Sequence, residues 1–258
     1  VKYQFAVGHK PEFFFRGLRR RVRGKRADAP GGGAGENGTQ HLPALGQGFR
    51  GGPVTALLPA SPRGLLRISG ADRARFVHGQ TTQDIKKLKP GEGAQALALT
   101  NKGKVTAILL VLADEDALWI ETDPERARFL KSHWERLIIT DDVEISDRSE
   151  SLGVVALTGA DAPAFLAQAS RAAVPDLPPL GHAPFSLGGQ QARLVHACRA
   201  GGPGLELWTL AAYTGPLRGV LARAGALPAD EEALRISNGI PRYGTDVTEE
   251  TLPQEAGF

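Results

Sequence analysis

Past residue 53 the apolar positions fall into short runs, and their spacing switches between a period of two and one of three to four. "GLLRIS" (64–69) alternates weakly and predicts a strand. "GADRARFVHG" (70–79) puts Ala71, Ala74, Phe76 and Val77 on one short helical face, with Gly79 as the expected stop. "AQALALTNKGKVTAILLVLA" (94–113) is two strand-like runs around an Asn-Lys-Gly turn, a hairpin signal, and "DALWIETD" (116–123) adds a third strand. "PERARFLKSHWERLII" (124–139) predicts a helix: Pro124 suits its first turn, and Ala127, Leu130, Trp134 and Leu137 recur at helical steps. "VEISDRS" (143–149) is again strand-like.

A similar order follows. "LGVVALTG" (152–159) predicts a strand and "ADAPAFLAQAS" (160–170) a short helix. "QARLVHACR" (191–199) and "GLELWTL" (204–210) read as strands around a Gly-Gly-Pro-Gly turn. "TGPLRGVLARAG" (214–225) and "DEEALRISNGI" (230–240) read as helices, the second closed by Asn238-Gly239. Strand–helix–strand–strand–helix order thus occurs twice, in units expected at 54–150 and 151–258. That is an α+β fold with mixed sheets and not a doubly wound nucleotide fold.

The first fifth of the chain is different. "FFFRGLRRRVRGKR" (13–26) and "APGGGAGENG" (29–38) show no sustained period, and such a composition does not bury enough apolar area to offset chain entropy. Residues 1–53 are expected to be a disordered basic, Gly/Pro-rich extension. The Val1 start and the lack of methionine suit an extension that is not native. Charge divides the same way: the pI is about 9.1, yet residues 1–53 carry a net +7 and residues 54–258 a net −4. A nucleic-acid partner is therefore expected only through the N-terminal arm. No apolar run reaches the ~18–20 residues of a membrane span, and no secretory signal is visible. One cysteine, Cys198, excludes a disulfide framework and points to a reducing, cytoplasmic compartment.

Familiar catalytic motifs are missing from the sequence. There is no G-x-x-x-x-G-K-[ST], no G-x-S-x-G elbow and no HExxH, and one cysteine builds no cysteine-based zinc site. No metal site and no catalytic residue is predicted. Read as mid-strand residues two apart, His196 and Cys198 share a face, which allows a Cys–His pair beside the plainer reading of a core cysteine. On "GLELWTL", Leu205 and Leu207 face away from Glu206, which either points into a polar cavity or is solvated. Arg235 lies between Leu234 and Ile236 on a helix, where it can meet an anion or pair with Glu231 at i−4. Arg242 and Tyr243 follow Pro241 in a turn, where loop residues often serve ligands. Thr81 or Thr82 could cap a further short helix, Lys102 tips a hairpin, and Glu255 caps a helix or lies at the surface.

Four stretches, "RFVHGQTTQDI" (75–85), "ALTNKGKVTAILLVL" (98–112), "GGPGLELW" (201–208) and "EALRISNGIPRYGTDVTEETLPQEAGF" (232–258), occur in order. Together they resemble the YgfZ-type folate-binding proteins, relatives of the glycine-cleavage T-protein, an aminomethyltransferase. The resemblance covers about residues 54–258 and implies a ring-like arrangement of α+β units around a central hole that binds tetrahydrofolate. It implies a folate-binding set of Glu206, Arg235, Arg242, Tyr243, Gln80 and Asn101. Glu206 would accept the paired N–H groups of the pterin and the arginines would meet the anionic glutamyl tail. It also implies an accessory role in iron–sulfur cluster assembly or repair, linked to tRNA modification, with cluster proteins as partners. Two departures qualify this. Ala107 and Ile108 stand where the T-protein pattern G-x-V-x-D-D has aspartates, which argues against the transferase alternative. The YgfZ-type K-G-C-Y-x-G-Q-E motif and C-terminal β domain belong beyond Phe258, so the expectation is a folate-binding part without the reactive cysteine.

Overall fold

The structure is a computed structural model that describes residues 55–258. The expectation for residues 1–53 lies outside the described residues. Eleven strands are described: β1 (Ala56–Leu57), β2 (Gly64–Ser69), β3 (Gly93–Leu99), β4 (Val105–Ala113), β5 (Ala117–Thr122), β6 (Glu144–Asp147), β7 (Leu152–Thr158), β8 (His182–Leu187), β9 (Gln190–Val195), β10 (Gly204–Leu210) and β11 (Leu227–Pro228). Five α-helices accompany them: α1 (Arg73–Gln80), α2 (Pro124–Glu135), α3 (Ala162–Ser170), α4 (Thr214–Arg223) and α5 (Glu231–Ser237). The first sheet has the order β3-β4-β5-β2-β6, the second β8-β9-β10-β7-β1-β11. The two orders correspond strand for strand, apart from β1, which lies between β7 and β11 and comes from the start of the described chain. The α+β expectation holds.

Three apolar layers hold the sheets and helices together. Alternation on β5 sends Leu118 and Ile120 to one side, where they join Leu130 and Trp134 of α2 and Phe76 and Val77 of α1. Leu205 and Leu207 of β10 face the other helical layer, with Leu166 of α3 and Leu217 and Leu221 of α4. Between the sheets lies a seam of Leu65, Leu110, Leu112, Val154, Val195 and Trp208. Each large apolar side chain removed from water here contributes roughly 1.5–3 kcal/mol before chain entropy is counted. Because both faces of both sheets are covered, the residues at 204–209 of β10 are all buried.

Several elements differ from their sequence-based expectation, each for a tertiary reason. Gly79 lies inside α1, and the helix ends after Gln80 because Thr81 becomes extended and bridges to Ala98 of β3. Thr82 accepts from the Leu97 amide instead of capping a helix. Helix α2 stops at Glu135, so Leu137 is 40% exposed and falls off the predicted face. Strand β8 was not foreseen, since Pro184 interrupts its pattern. It is an edge strand, where a missing N–H is tolerated. Strand β9 ends at Val195, which puts His196 and Cys198 in the following loop and removes the geometric basis for a Cys–His pair. Burial, then the charge of Glu206, pushes the Cys198 thiol up to about 11, so it is a poor nucleophile.

One end of the seam is closed by a polar latch. Arg193 of β9 donates to both carboxylate oxygens of Asp114 (3.1 and 2.5 Å), and Trp119 of β5 donates to Asp114 at 2.7 Å. His182 of β8 faces the Ala113 carbonyl through Nε2 (3.0 Å) and Arg193 through Nδ1 (3.2 Å). Arginine only donates, so Nδ1 accepts and Nε2 carries the proton. Burial, then Arg193, holds His182 below the ordinary histidine value. Among the described residues no helix is long and apolar enough to cross a membrane.

Candidate functional site

The other end of the seam collects charge. Glu121 shares its β5 face with Trp119, and Glu206 shares its β10 face with Trp208, so both carboxylates enter the space between the sheets. Arg63, immediately before β2, reaches across it. Its Nη1 is 3.1 Å from Glu121 Oε1 and its Nη2 is 3.5 Å from Glu206 Oε1. Arg199, in the loop between β9 and β10, donates from Nη1 to Glu121 Oε1 at 3.3 Å and from Nη2 to Asp123 Oδ1, just ahead of α2. The Arg199 backbone N–H donates to Glu206 Oε1 at 3.2 Å, and Trp208 Nε1 donates to Glu206 Oε2 at 2.9 Å. Two arginines thus face three carboxylates.

Burial sets the electrostatics. Glu206 is 1% exposed, and the Arg63 side chain 3%. Burial lifts the Glu121 carboxyl above its ordinary value, although Arg63 and Arg199 pull it down. For Arg63 burial opposes the charge, but Glu206 and Glu121 outweigh it and hold the guanidinium above its usual range. Glu206 therefore does not look into an open polar cavity. The space is filled by arginine and by the Arg199 amide.

The remaining predicted residues are placed elsewhere. Arg235 is buried, but its partner is Glu232, not Glu231: Nε and Nη2 donate to the two Glu232 oxygens at 3.0 and 2.6 Å. Its Nη1 also meets the Ile240 carbonyl and Asp246. This arginine closes the Asn238–Asp246 turn onto α5, whose N-terminus is capped by Asp230. Arg242 is 2.8 Å from Glu232 Oε2 and more than a third exposed. The Tyr243 ring lies under Arg126 of α2, 4.8 Å from guanidinium carbon to ring centre. Gln80 ends α1, and Asn101 is exposed at the β3–β4 turn. The hydrogen bonds of the Arg63 cluster reach neither Gln80 nor Asn101. Glu255 accepts from the Leu252 amide at 2.8 Å, so it caps the closing 3-10 turn. The segment from Tyr243 onward lies along the first sheet: the Val105 amide donates to Thr251, and Lys104 pairs with Glu250.

Sequence reading missed Arg63, Glu121, Asp123, Arg199 and Trp208. The available signal was alternation: Glu121 falls on the side of β5 opposite Leu118 and Ile120, the side with Trp119. A strand pattern alone assigns that side to water.

Comparison with known proteins bears on this geometry. The profile described as GCVT N-terminal domain matches residues 55–258. The chain is 30% identical over 209 residues to an aminomethyltransferase of Rubrobacter xylanophilus, covering 78% of this chain and 55% of that one. It is 29% identical over 205 residues to an aminomethyltransferase of Thermus thermophilus, covering 78% and 58%. The crystal structure of glycine cleavage system aminomethyltransferase T from Bartonella henselae superposes with a TM-score of 0.68 at 18% identity. It covers 78% of this chain and 55% of that one, a likeness of fold. The chain thus spans somewhat more than half the length of these relatives. The expectation of an iron–sulfur accessory protein is overturned, because these relatives are named aminomethyltransferases. The match across all described residues, with the fold it predicts, shows that this chain belongs to the family of GCVT N-terminal domains.

Proposed function

We propose that this chain is a tetrahydrofolate-binding domain of the aminomethyltransferase type. The observation that carries the reading is the match of residues 55–258 to the GCVT N-terminal domain, on a chain whose relatives are aminomethyltransferases. A pterin presents parallel N–H groups, and ionised carboxylates are the side chains that accept such pairs. Glu206 is the central acceptor of the proposed site. Arg242, more than a third exposed, is the proposed partner of the glutamyl tail, while Arg235 already donates through Nε, Nη1 and Nη2. Tyr243, Gln80 and Asn101 complete the proposed set. Within the family, the L-P-Q-E-A-G run (252–257) favours the YgfZ-type branch.

The cluster as arranged does not fit the cofactor directly. Both Glu206 oxygens already accept, and Arg63 and Arg199 hold Glu121. We therefore derive no chemical step through folate. Nor does β4 supply an acid: Ala107 packs in the helical layer, and Ile108 lies beside the C-terminal segment. By register the acid on the neighbouring strand β5 is Glu121, opposite Leu110. Calorimetry with folinic acid tests the reading. The wild-type chain is expected to bind, and Glu206→Gln to bind about tenfold more weakly. Equal affinities would remove Glu206 from the site, and a wild-type chain that releases no heat of binding would end the folate reading.

A further inference from the structure

Arg199 differs from the rest of the cluster. Its side chain is 24% exposed, whereas those of Arg63, Glu121 and Glu206 are 3%, 9% and 2% exposed. The Asp123 side chain, its second partner, is 26% exposed. The Arg199–Asp123 contact is thus the solvent-facing end of an otherwise sealed polar space. The backbone behind it is held. Asn238 Nδ2 donates to the Ala200 carbonyl at 2.9 Å. Gly201, at φ +78°, lies so close to Ile240 that a Cβ there would come within 2.6 Å of it. The backbone after Arg199 is thus tied down, and the Arg199 side chain is the more exposed arginine of the cluster.

What that side chain presents is a planar fork of N–H donors. The 2-amino-4-oxopyrimidine edge of a pterin presents the same kind of fork. We propose that the Arg199 guanidinium is an internal plug: it holds acceptor positions on Glu121 and Asp123 that the paired N–H groups of a planar aminopyrimidine take once this side chain rotates outward. The inference rests on the folate reading for the identity of the natural ligand, but the slot itself is defined by the chain's own contacts. Charge supports it. With Arg199 turned to solvent, Arg63 still pairs with Glu121 and Glu206 while Asp123 loses its arginine, and the slot is left acceptor-rich and short of donors. The exchange frees acceptors on Glu121 and Asp123, while Glu206 stays held by the Arg199 amide, Trp208 and Arg63.

The test uses the whole chain, with Arg199→Ala and Arg199→Gln. The second variant keeps part of the stem and guards against loss of folding. Three probes are titrated: isocytosine as the bare pterin edge, ethylguanidine as the bare arginine fork, and folinic acid. Both variants are expected to bind isocytosine and folinic acid about tenfold more tightly than wild type. Ethylguanidine is expected to raise the melting temperature of the variants and not that of wild type. If cooperatively folding variants gain affinity for none of the probes, the plug is refuted. If folinic acid binds wild type and variants alike and the two small probes gain nothing, the folate reading stands and the plug falls. If isocytosine and ethylguanidine gain while folinic acid binds neither wild type nor variants, the plug stands and the folate reading falls.

Discussion

Replacing Glu206 by alanine removes the acceptor that joins both arginines and an indole across the two sheets. Trp208 Nε1 loses its partner at 2.9 Å, the Arg199 amide loses one at 3.2 Å, and Arg63 is left with Glu121. An orphaned buried donor costs about 1–3 kcal/mol, and breaking a buried charge pair from one side about 3–5 kcal/mol. These terms overlap, so Glu206→Ala is expected to lose about 3–5 kcal/mol. For a folded body of this size that is a fall of about 6–20 °C in Tm. Glu206→Gln keeps an oxygen for one of the donors. It also removes the negative charge that helps to raise the Glu121 carboxyl. Its loss is expected to be about 1–2 kcal/mol. Urea unfolding at pH 7, followed by tryptophan fluorescence, measures both. An alanine variant within about 1 kcal/mol of wild type, or a glutamine variant as costly as alanine, would refute the view that the cluster is a tight inter-sheet tie.

The latch at the other end of the seam should make the protein acid-sensitive. The native state holds His182 below its ordinary value, so the unfolded chain takes up that proton first and stability falls as pH drops through about 6.5. For Asp114 burial opposes the charge, but the Arg193 hydrogen bonds outweigh it and hold the carboxyl low, so a second loss follows in the carboxylate range. His182→Gln should abolish the first step in a plot of Tm against pH and leave the second. Glu121 acts in the opposite sense: its carboxyl is raised, so stability is lost as pH rises above about 4.5, and Glu121→Gln should flatten that slope. Arg235→Met should speed hydrogen exchange at the amides of 239–247, which this side chain holds against α5, and leave β3–β5 protected. Unchanged exchange there would show that Arg235 does not fasten the segment.

The alternation of Leu118 and Ile120, the helical steps of Ala127, Leu130 and Trp134, and the Asn-Lys-Gly hairpin are local patterns, and each determined its element. The four stretches between 75 and 258, taken in order, likewise pointed to the relatives of the glycine-cleavage T-protein, and the match to the GCVT N-terminal domain bears that out at the level of the wider family. The boundaries depended on distant partners. Thr81 leaves its helix to bridge with Ala98, and Pro184 sits in a strand only because that strand lies at an edge. Glu206 was legible as a polar residue out of step with its leucines, but its surroundings were not. Arg63, Glu121, Asp123 and Arg199 lie 7 to 143 positions from it in the chain, and they meet it only because two sheets stack and turn their outward faces into an interior. Periodicity states which residues share a face. What covers that face is decided by tertiary packing, and here that covering turns a carboxylate expected in a cavity into part of a closed ion-pair cluster.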